Sequence, residues 1–308
     1  MDSLTENIKL LQAVSLVCGV GHNSNQLHEK DIFAGALRVI KLWAHRRQIY
    51  GSNTGYLGGG GWAVLLVWMW QKEILPLHTL LKQCKTSAEA ALILAKYFFV
   101  RAGTLMGKHT TVSVERVSDE AGVARSNLCV IGPMGANHGA SSTPATALAT
   151  KSELTKAFDM LQKMSKEWWR DPIPDALMDP IDLVEAFEQY VVLCVTLNAS
   201  AIGDDSVKPA EVKAWGAAKA LRFGLRLSIH ARPFSRPAIS KTASKVTFYF
   251  TWGIEDGFDL NEIRYVSDRH SMHLKEEAKL TFAGSEVSVR IQQFPAHDLC
   301  KETGQSKW

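Results

Sequence analysis

The chain has 308 residues and a formal net charge of +4, with 46% hydrophobic and 21% charged residues. That length exceeds one average domain and predicts two. The composition is that of a globular protein and excludes collagen-like and wholly disordered classes. The longest uninterrupted apolar run, Trp62 to Trp70, is about half of the ~20 residues that a membrane-spanning helix needs, so no membrane association is expected. Met1-Asp2-Ser3-Leu4-Thr5-Glu6-Asn7 carries acids where a secretory leader carries bases, so an intracellular, non-secreted protein is expected. Cys18, Cys84, Cys129, Cys194 and Cys300 form neither zinc pairs nor a disulfide ladder and predict a reducing compartment. With so mild a charge, any anionic partner must be met by a local basic surface.

In chain order, the first element is a helix over Asp31–Gln48. Phe33, Leu37, Ile40 and Ala44 lie at helical spacing on one face, Asp31 is placed as its N-cap, and Arg46 and Arg47 complement the dipole at its end. Six glycines between Gly51 and Gly61 interrupt any long element and permit close backbone approach. A buried helix follows from Trp62 to about Trp70. Thr86 and Glu89 form a capping-box pattern that opens a helix through Ala91, Leu94, Ala95 and Phe98. The Gly/Ser/Thr/Pro-rich stretch from Gly132 to Thr150 reads as a long polar loop, and Lys151 to Trp169 as a helix.

Six acids, no base and three prolines crowd Asp171 to Glu188, which places a domain boundary there. Beyond it, Val191–Leu197 is a strand, 206–225 a helix, Leu227–Phe234 and Val246–Ile254 strands, and Leu260–Lys275 partly helical. Lys279–Phe282 and Val287–Ile291 flank a hairpin turn, and Gly304–Trp308 is a loose tail. Strand, helix, strand, strand, helix, strand is the order of a ferredoxin-like (RRM-like) α+β domain. The expected architecture is α+β: a helical domain over residues 1–178, then a ferredoxin-like domain over 179–308.

Several patterns invite chemistry. Gly55 to Gly61 is glycine-rich but lacks the Lys-Ser/Thr ending of a phosphate loop, and Gly103–Thr110 is one residue short of it. Lys41 and His45 share the polar face of the first helix with Arg38. That face is either simply solvated or a phosphate site, since a lysine ammonium is a compact point charge suited to phosphate oxygens. Between Val212 and Ile254 stand eight basic residues and no acid, interleaved with Phe223, Phe234, Phe248, Tyr249 and Trp252. Bases that neutralise phosphates and aromatics that stack nucleobases suit single-stranded RNA, although the same pattern arises from core aromatics and surface charge. Lys219, Arg222, Arg226, Arg232 and Arg236 are the candidate RNA contacts. His270 and His273 with Asp268 have metal-like spacing but lack a further ligand.

Ala36–Tyr50, with Ile40-Lys41-Leu42-Trp43-Ala44 and Arg46-Arg47-Gln48-Ile49-Tyr50 at its heart, is followed by Gly55-Tyr56-Leu57-Gly58-Gly59 and Trp62-Ala63. This run resembles the central domain of eukaryotic poly(A) polymerases. Fainter likeness extends to Phe187–Leu193, Arg232-Pro233-Phe234 and Thr247–Ile254, which resemble strands of that family's RNA-binding domain. The resemblance implies that Lys41 and Tyr50 contact the triphosphate of an incoming ATP. It implies that the backbone at Gly59 and Gly60 lies against the adenine. The family's asparagine two places after the tyrosine is Ser52 here, and the residue after the paired glycines, usually branched, is Gly60.

The resemblance also implies RNA as a partner, a nuclear location and magnesium held by a Gly-Ser turn and an Asp-x-Asp strand. No such arrangement occurs in this sequence: Gly51-Ser52 has no acid until Glu73, and Gly284-Ser285 leads only to Glu286. The helix near residue 31 leaves no room upstream for a catalytic domain, so magnesium is expected only with a catalytic nucleotidyltransferase domain supplied in cis or in trans. The expected function is the non-catalytic, nucleotide- and RNA-binding part of a poly(A)-polymerase-type RNA 3′-end nucleotidyltransferase. The alternative is a catalytically dead RNA-binding or scaffold protein with the same fold.

Overall fold

The computed structural model describes residues 29–81, 83–108, 111–113, 128–164, 171–183, 185–198, 231–234, 237–254 and 287–303. Contacts divide the chain after Pro180 into two units, the short Thr143–Thr146 segment grouping with the second. The whole is a mixture of helix and sheet, α+β.

Helix α1 spans Glu29–Arg46 and buries Ile32, Phe33, Ala36, Ile40, Trp43 and Ala44, the apolar stripe legible in its sequence. It starts two residues earlier than expected. Asp31 is therefore not its cap but stands in the first turn beside Glu29, where a carboxylate still opposes the positive end of the dipole. Helix α2, Gly59–Lys72, begins inside the glycine run rather than after it, and every residue from Gly61 to Trp70 is buried. A short α3, Ile74–Leu81, was not expected. Helix α4, Ser87–Lys108, opens as its capping pattern predicts: the Glu89 N–H donates to Thr86 Oγ1 at 3.1 Å. The Glu89 carboxylate accepts from the Lys85 N–H at 2.8 Å, one residue before the cap.

Gly35 of α1 lies against Ala91 of α4, and two turns on Trp43 meets Phe99, so these helices run side by side in the same direction. Trp43 also meets Trp62 of α2 edge-on at 5.9 Å, an arrangement that adds to the large apolar burial of such rings. Strands β1, Thr111–Ser113, and β2, Cys129–Ile131, form a parallel pair. The stretch expected to be a loop through Thr150 ends at Thr143, where α5, Pro144–Gln162, starts. Proline suits the first helical position because that N–H has no partner in any helix. Thr143 Oγ1 accepts from the Thr146 N–H at 3.2 Å, the bond of an N-cap. The predicted start at Lys151 is thus two turns late, and the end predicted at Trp169 is too far on, because the helix stops at Gln162, and Lys163 and Met164 turn away from it. A one-turn α6, Asp175–Met178, closes this unit.

The second unit is built on a five-stranded antiparallel sheet. Its strands are β3, Gln189–Asn198; β4, Ala231–Pro233; β5, Ala238–Lys241; β6, Lys245–Ile254; and β7, Val287–Pro295. Their order in space is β4-β6-β3-β7, with β5 also on β6. Central β3 pairs along its length with β6 and along nearly all of it with β7. Val287 therefore enters a longer strand than expected, paired to β3; its predicted hairpin partner at 279–282 lies outside the described residues. So do the predicted helix over 206–225, the start of the strand at 227–230, the segment 260–275 and the tail 304–308.

On one face of the sheet, Tyr190, Val192 and Cys194 gather with Leu183, Phe234 and Leu299. Leu299 belongs to α7, Ala296–Thr303, a helix the sequence pattern did not announce. Tyr190 ties the entering chain down, its phenol donating to Leu183 O at 2.8 Å and its contact to Phe187 O at 2.9 Å.

Candidate nucleotide site

Four residues expected to touch a nucleotide lie in the first unit, and the end of α1 decides how they meet. Gln48 adopts a left-handed conformation (φ 55°). The Ile49 N–H donates to Ala44 O at 2.9 Å and the Gln48 N–H to His45 O at 3.1 Å. These two bonds are a Schellman closure, made with glutamine where glycine is usual. It reverses the chain so that Tyr50 folds back onto α1, its ring stacked on His45 with centroids 3.8 Å apart. Gly51 follows at φ 125°, and the Gly51 N–H donates to Leu57 O at 3.0 Å while Gly51 O accepts from the Tyr56 N–H at 3.1 Å. Only glycine occupies that backbone region without strain. The small loop it closes delivers Gly58 and Gly59 to the start of α2.

Here the cluster forms. A Cβ placed on Gly59 would lie 2.9 Å from Tyr50 Oη and 3.1 Å from Lys41 Nζ. The ammonium from the middle of α1 and the phenol beyond its end therefore face the same point, at the first turn of another helix. Both side chains are half-buried. Among the described residues neither Lys41 Nζ nor Tyr50 Oη has a hydrogen-bond or ion-pair partner. Ser52, standing where the resemblance places an asparagine, turns its Oγ toward Gly58, 3.7 Å from a Cβ there. Gly60 is covered by a residue that sequence reasoning left in a loop: a Cβ on Gly60 would meet His138 Cε1 at 2.9 Å and Nδ1 at 3.0 Å. No sequence signal pointed from Gly60 to His138, because the two are joined only by packing.

The neighbourhood is electropositive by construction. From Ile32 to Lys72 the sequence contains no acid, and from Leu128 to Lys151 again none. Arg47, beside the Schellman closure, is neutralised by Glu153 of α5 at 2.7 Å, and Arg46 and Arg47 donate to Met178 O and Asp179 O. Two α4 side chains titrate away from their usual range. Burial depresses the Lys96 ammonium against the opposing pull of Asp171, whose carbonyl it bonds. Burial raises the Tyr97 phenol despite Arg101.

The candidate RNA contacts are not brought together in the same way. Lys219, Arg222, Arg226 and Arg236 lie outside the described residues, as do His270 and His273. Arg232 is on β4, half-buried, opposite Gly253 of β6. Phe234, Phe248 and Trp252 are buried, so these aromatics are core and do not stack nucleobases. Tyr249 is half-buried against the cluster that holds Phe234.

Residues 32–102, from the first turn of α1 to the later turns of α4, match the poly(A) polymerase central domain. Through this segment the chain is related to the poly(A) polymerase family. It is 35% identical over 69 residues to poly(A) polymerase PAPa of Candida albicans, covering 22% of this chain and 10% of that protein. It is 51% identical over 35 residues to poly(A) polymerase PAPalpha of the same yeast, covering 11% of this chain and 6% of the relative. Against poly(A) polymerase pla1 of Schizosaccharomyces pombe the identity is 30% over 103 residues, 31% of this chain and 16% of the relative. The matched stretches thus span less than a fifth of the curated relatives' own lengths.

Proposed function

We propose that this chain is the nucleotide- and RNA-binding part of a poly(A)-polymerase-type RNA 3′-end nucleotidyltransferase acting in polyadenylation. The observation that carries this is the convergence of Lys41 Nζ and Tyr50 Oη on Gly59. A triphosphate offers each of them the acceptor it lacks, and charge-assisted bonds of this kind are among the strong ones. The N–H groups of the first turn of α2 have no partner within the helix, and such a helix start favours an anion. Glycine at position 59 leaves room for the ammonium and the phenol at the start of α2. ATP is the expected ligand.

The second unit supports the reading. Counting its long strands and β4 in chain order, they lie in space as second, third, first, fourth, all antiparallel, an order that favours the ferredoxin-like reading. RNA contact is assigned to Lys219, Arg222, Arg226, Arg232 and Arg236, and a nuclear location is inferred with it. Among the described residues no helix is long and apolar enough to cross a membrane. Also among them, no group of three or more His, Cys, Asp or Glu side chains is placed to hold a metal ion. Because neither Gly51-Ser52 nor Gly284-Ser285 leads to an Asp-x-Asp pattern in the sequence, magnesium and the acids that bind it are assigned to a catalytic domain in cis or in trans. This chain's own part is to bind the triphosphate and to bind RNA.

Calorimetric titration with ATP tests the nucleotide half. Lys41→Ala is expected to weaken binding at least ~10-fold, in line with the loss of a charge-assisted contact. Gly59→Ala is expected to weaken it comparably with little change in melting temperature, because its new methyl displaces only the flexible ends of Lys41 and Tyr50. Affinity unaltered by Lys41→Ala removes the phosphate role; no ATP binding in the unsubstituted chain favours a scaffold that kept the fold alone. For the RNA half, the logarithm of affinity for a single-stranded RNA is expected to fall steeply with the logarithm of salt. Neutralising Arg222, Arg226 and Arg232 together is expected to reduce that slope by about 2. A slope that stays the same places the contacts elsewhere.

A further inference from the structure

Gly60 adjoins the residue on which Lys41 and Tyr50 converge, and its side is filled by an imidazole. His138 presents its Cε1–Nδ1 edge to Gly60, at 2.9 and 3.0 Å from a Cβ there, with Nε2 further off at 3.9 Å. The position is held, not incidental. The His138 N–H donates to Val130 O at 2.8 Å. Asn137 Oδ1 on one side accepts from the N–H groups of Val130, at 3.1 Å, and Gly139, at 2.9 Å. Three bonds to strand β2 and its following turn thus pin the residues that carry the ring. A side chain set in place this way loses little freedom when it binds a ligand.

Charge says what kind of ligand. The segments that build this corner, Ile32–Lys72 and Leu128–Lys151, contribute Lys41, His45, Tyr50 and His138 to it and no carboxylate. Lys41 brings this corner a fixed positive charge, and a fixed positive charge fits an anion.

We propose that His138 is a third contact of the nucleotide's phosphates, completing with Lys41 and Tyr50 a cradle assembled from three separate stretches of chain. This rests on the nucleotide reading above and adds a residue to it. Lysine supplies a fixed charge, tyrosine a neutral donor, and histidine a donor whose charge changes between pH 5 and 8. Phosphate affinity is therefore expected to be stronger at pH 6.0 than at pH 8.0. Among the described residues, the other titratable groups facing this corner are Lys41, His45 and Tyr50, and a comparison of variants separates His138 from His45.

The probes are ATP and inorganic tripolyphosphate, titrated into the full chain and into His138→Ala, His138→Asn and Lys41→Ala at pH 6.0, 7.0 and 8.0. His138→Ala is expected to weaken both ligands about 5-fold at pH 6.0 and less than 2-fold at pH 8.0. His138→Asn, which keeps a donor but not the charge, is expected to recover part of the affinity and none of the pH dependence. Circular dichroism melts of the same samples establish that each variant is folded; if the alanine variant is not, the asparagine variant carries the comparison. The proposal is overturned if His138 variants bind tripolyphosphate as the unsubstituted chain does, or if only ATP is weakened, which would move the contact to the base. Lys41→Ala separates the two levels. A loss there with none at His138 removes this inference alone, and no effect at either position removes the nucleotide reading with it.

Discussion

Alanine at Gly139 is expected to lower the stability of the first unit by about 3 kcal/mol, the upper end of what overpacking costs. A Cβ on Gly139 would come within 1.9 Å of the Leu128 carbonyl oxygen and 2.8 Å of its carbon. Those atoms belong to the backbone, which cannot rotate aside as a side chain can. Leu128 is itself anchored, its N–H donating to Ser142 Oγ at 3.0 Å across the same turn. Either the turn opens or the entry to β2 moves, and both carry His138 away from Gly60. Urea denaturation followed by tryptophan fluorescence is expected to show a midpoint clearly below that of the unsubstituted chain, with tripolyphosphate affinity reduced in the folded fraction. A midpoint unchanged by this substitution would mean that the turn has room the structure does not show. The contrast with Gly59→Ala is informative, since there the crowded atoms are side-chain ends and the cost falls on the ligand instead of the fold.

Glu153→Gln is the second large effect expected, a loss of about 3 kcal/mol. Glu153 is 1% exposed and accepts from Arg47 Nε at 2.7 Å and Lys156 Nζ at 3.0 Å. A buried pair is not strongly stabilising as such, because desolvating two charges offsets much of their attraction. Removing one partner is different: the Arg47 guanidinium, 13% exposed, stays buried without its counter-charge, and breaking such pairs costs about 3–5 kcal/mol. Lys156, half in solvent, contributes little, and Lys156→Ala is expected to change stability by less than about 0.5 kcal/mol. The denaturation midpoint of Glu153→Gln is expected to be insensitive to salt, unlike that of a surface pair. The loss matters for the site because Arg47 lies immediately before the Gln48 reversal that folds Tyr50 onto α1. A Gln variant as stable as the unsubstituted chain would show that Arg47 finds another counter-charge.

Much of the first unit was legible because its signals are local. The stripe of α1, the apolar run of α2 and the Thr86–Glu89 cap each lie within a turn or two of helix, and each forms where the pattern places it. Boundaries were less legible. Asp31 resembles a cap, yet α1 begins at Glu29, and glycines that look like breakers become the first turn of α2 because Gly58, extended, leads straight into it. The Pro144 start of α5 was hidden by a stretch rich in turn-forming residues. In the second unit the alternation of Val246, Phe248, Phe250 and Trp252 announced β6. It could not tell a nucleobase platform from a core, and the sheet resolves that by burying Phe234, Phe248 and Trp252, three of the four candidate aromatics among the described residues.

By itself the sequence determined that Lys41 and Tyr50 flank the end of one helix, that a glycine run follows them and that no acid stands nearby. Those facts follow from residue order and from helical periodicity. Only the tertiary structure decided that the ammonium and the phenol turn toward Gly59 and that an imidazole from a distant turn covers Gly60. The reason is that packing, not spacing along the chain, sets which side chains meet. A left-handed glutamine after α1 and a buried arginine–glutamate pair beside it fix one wall, the hydrogen-bonded turn after β2 fixes another, and none of these leaves a period in the sequence.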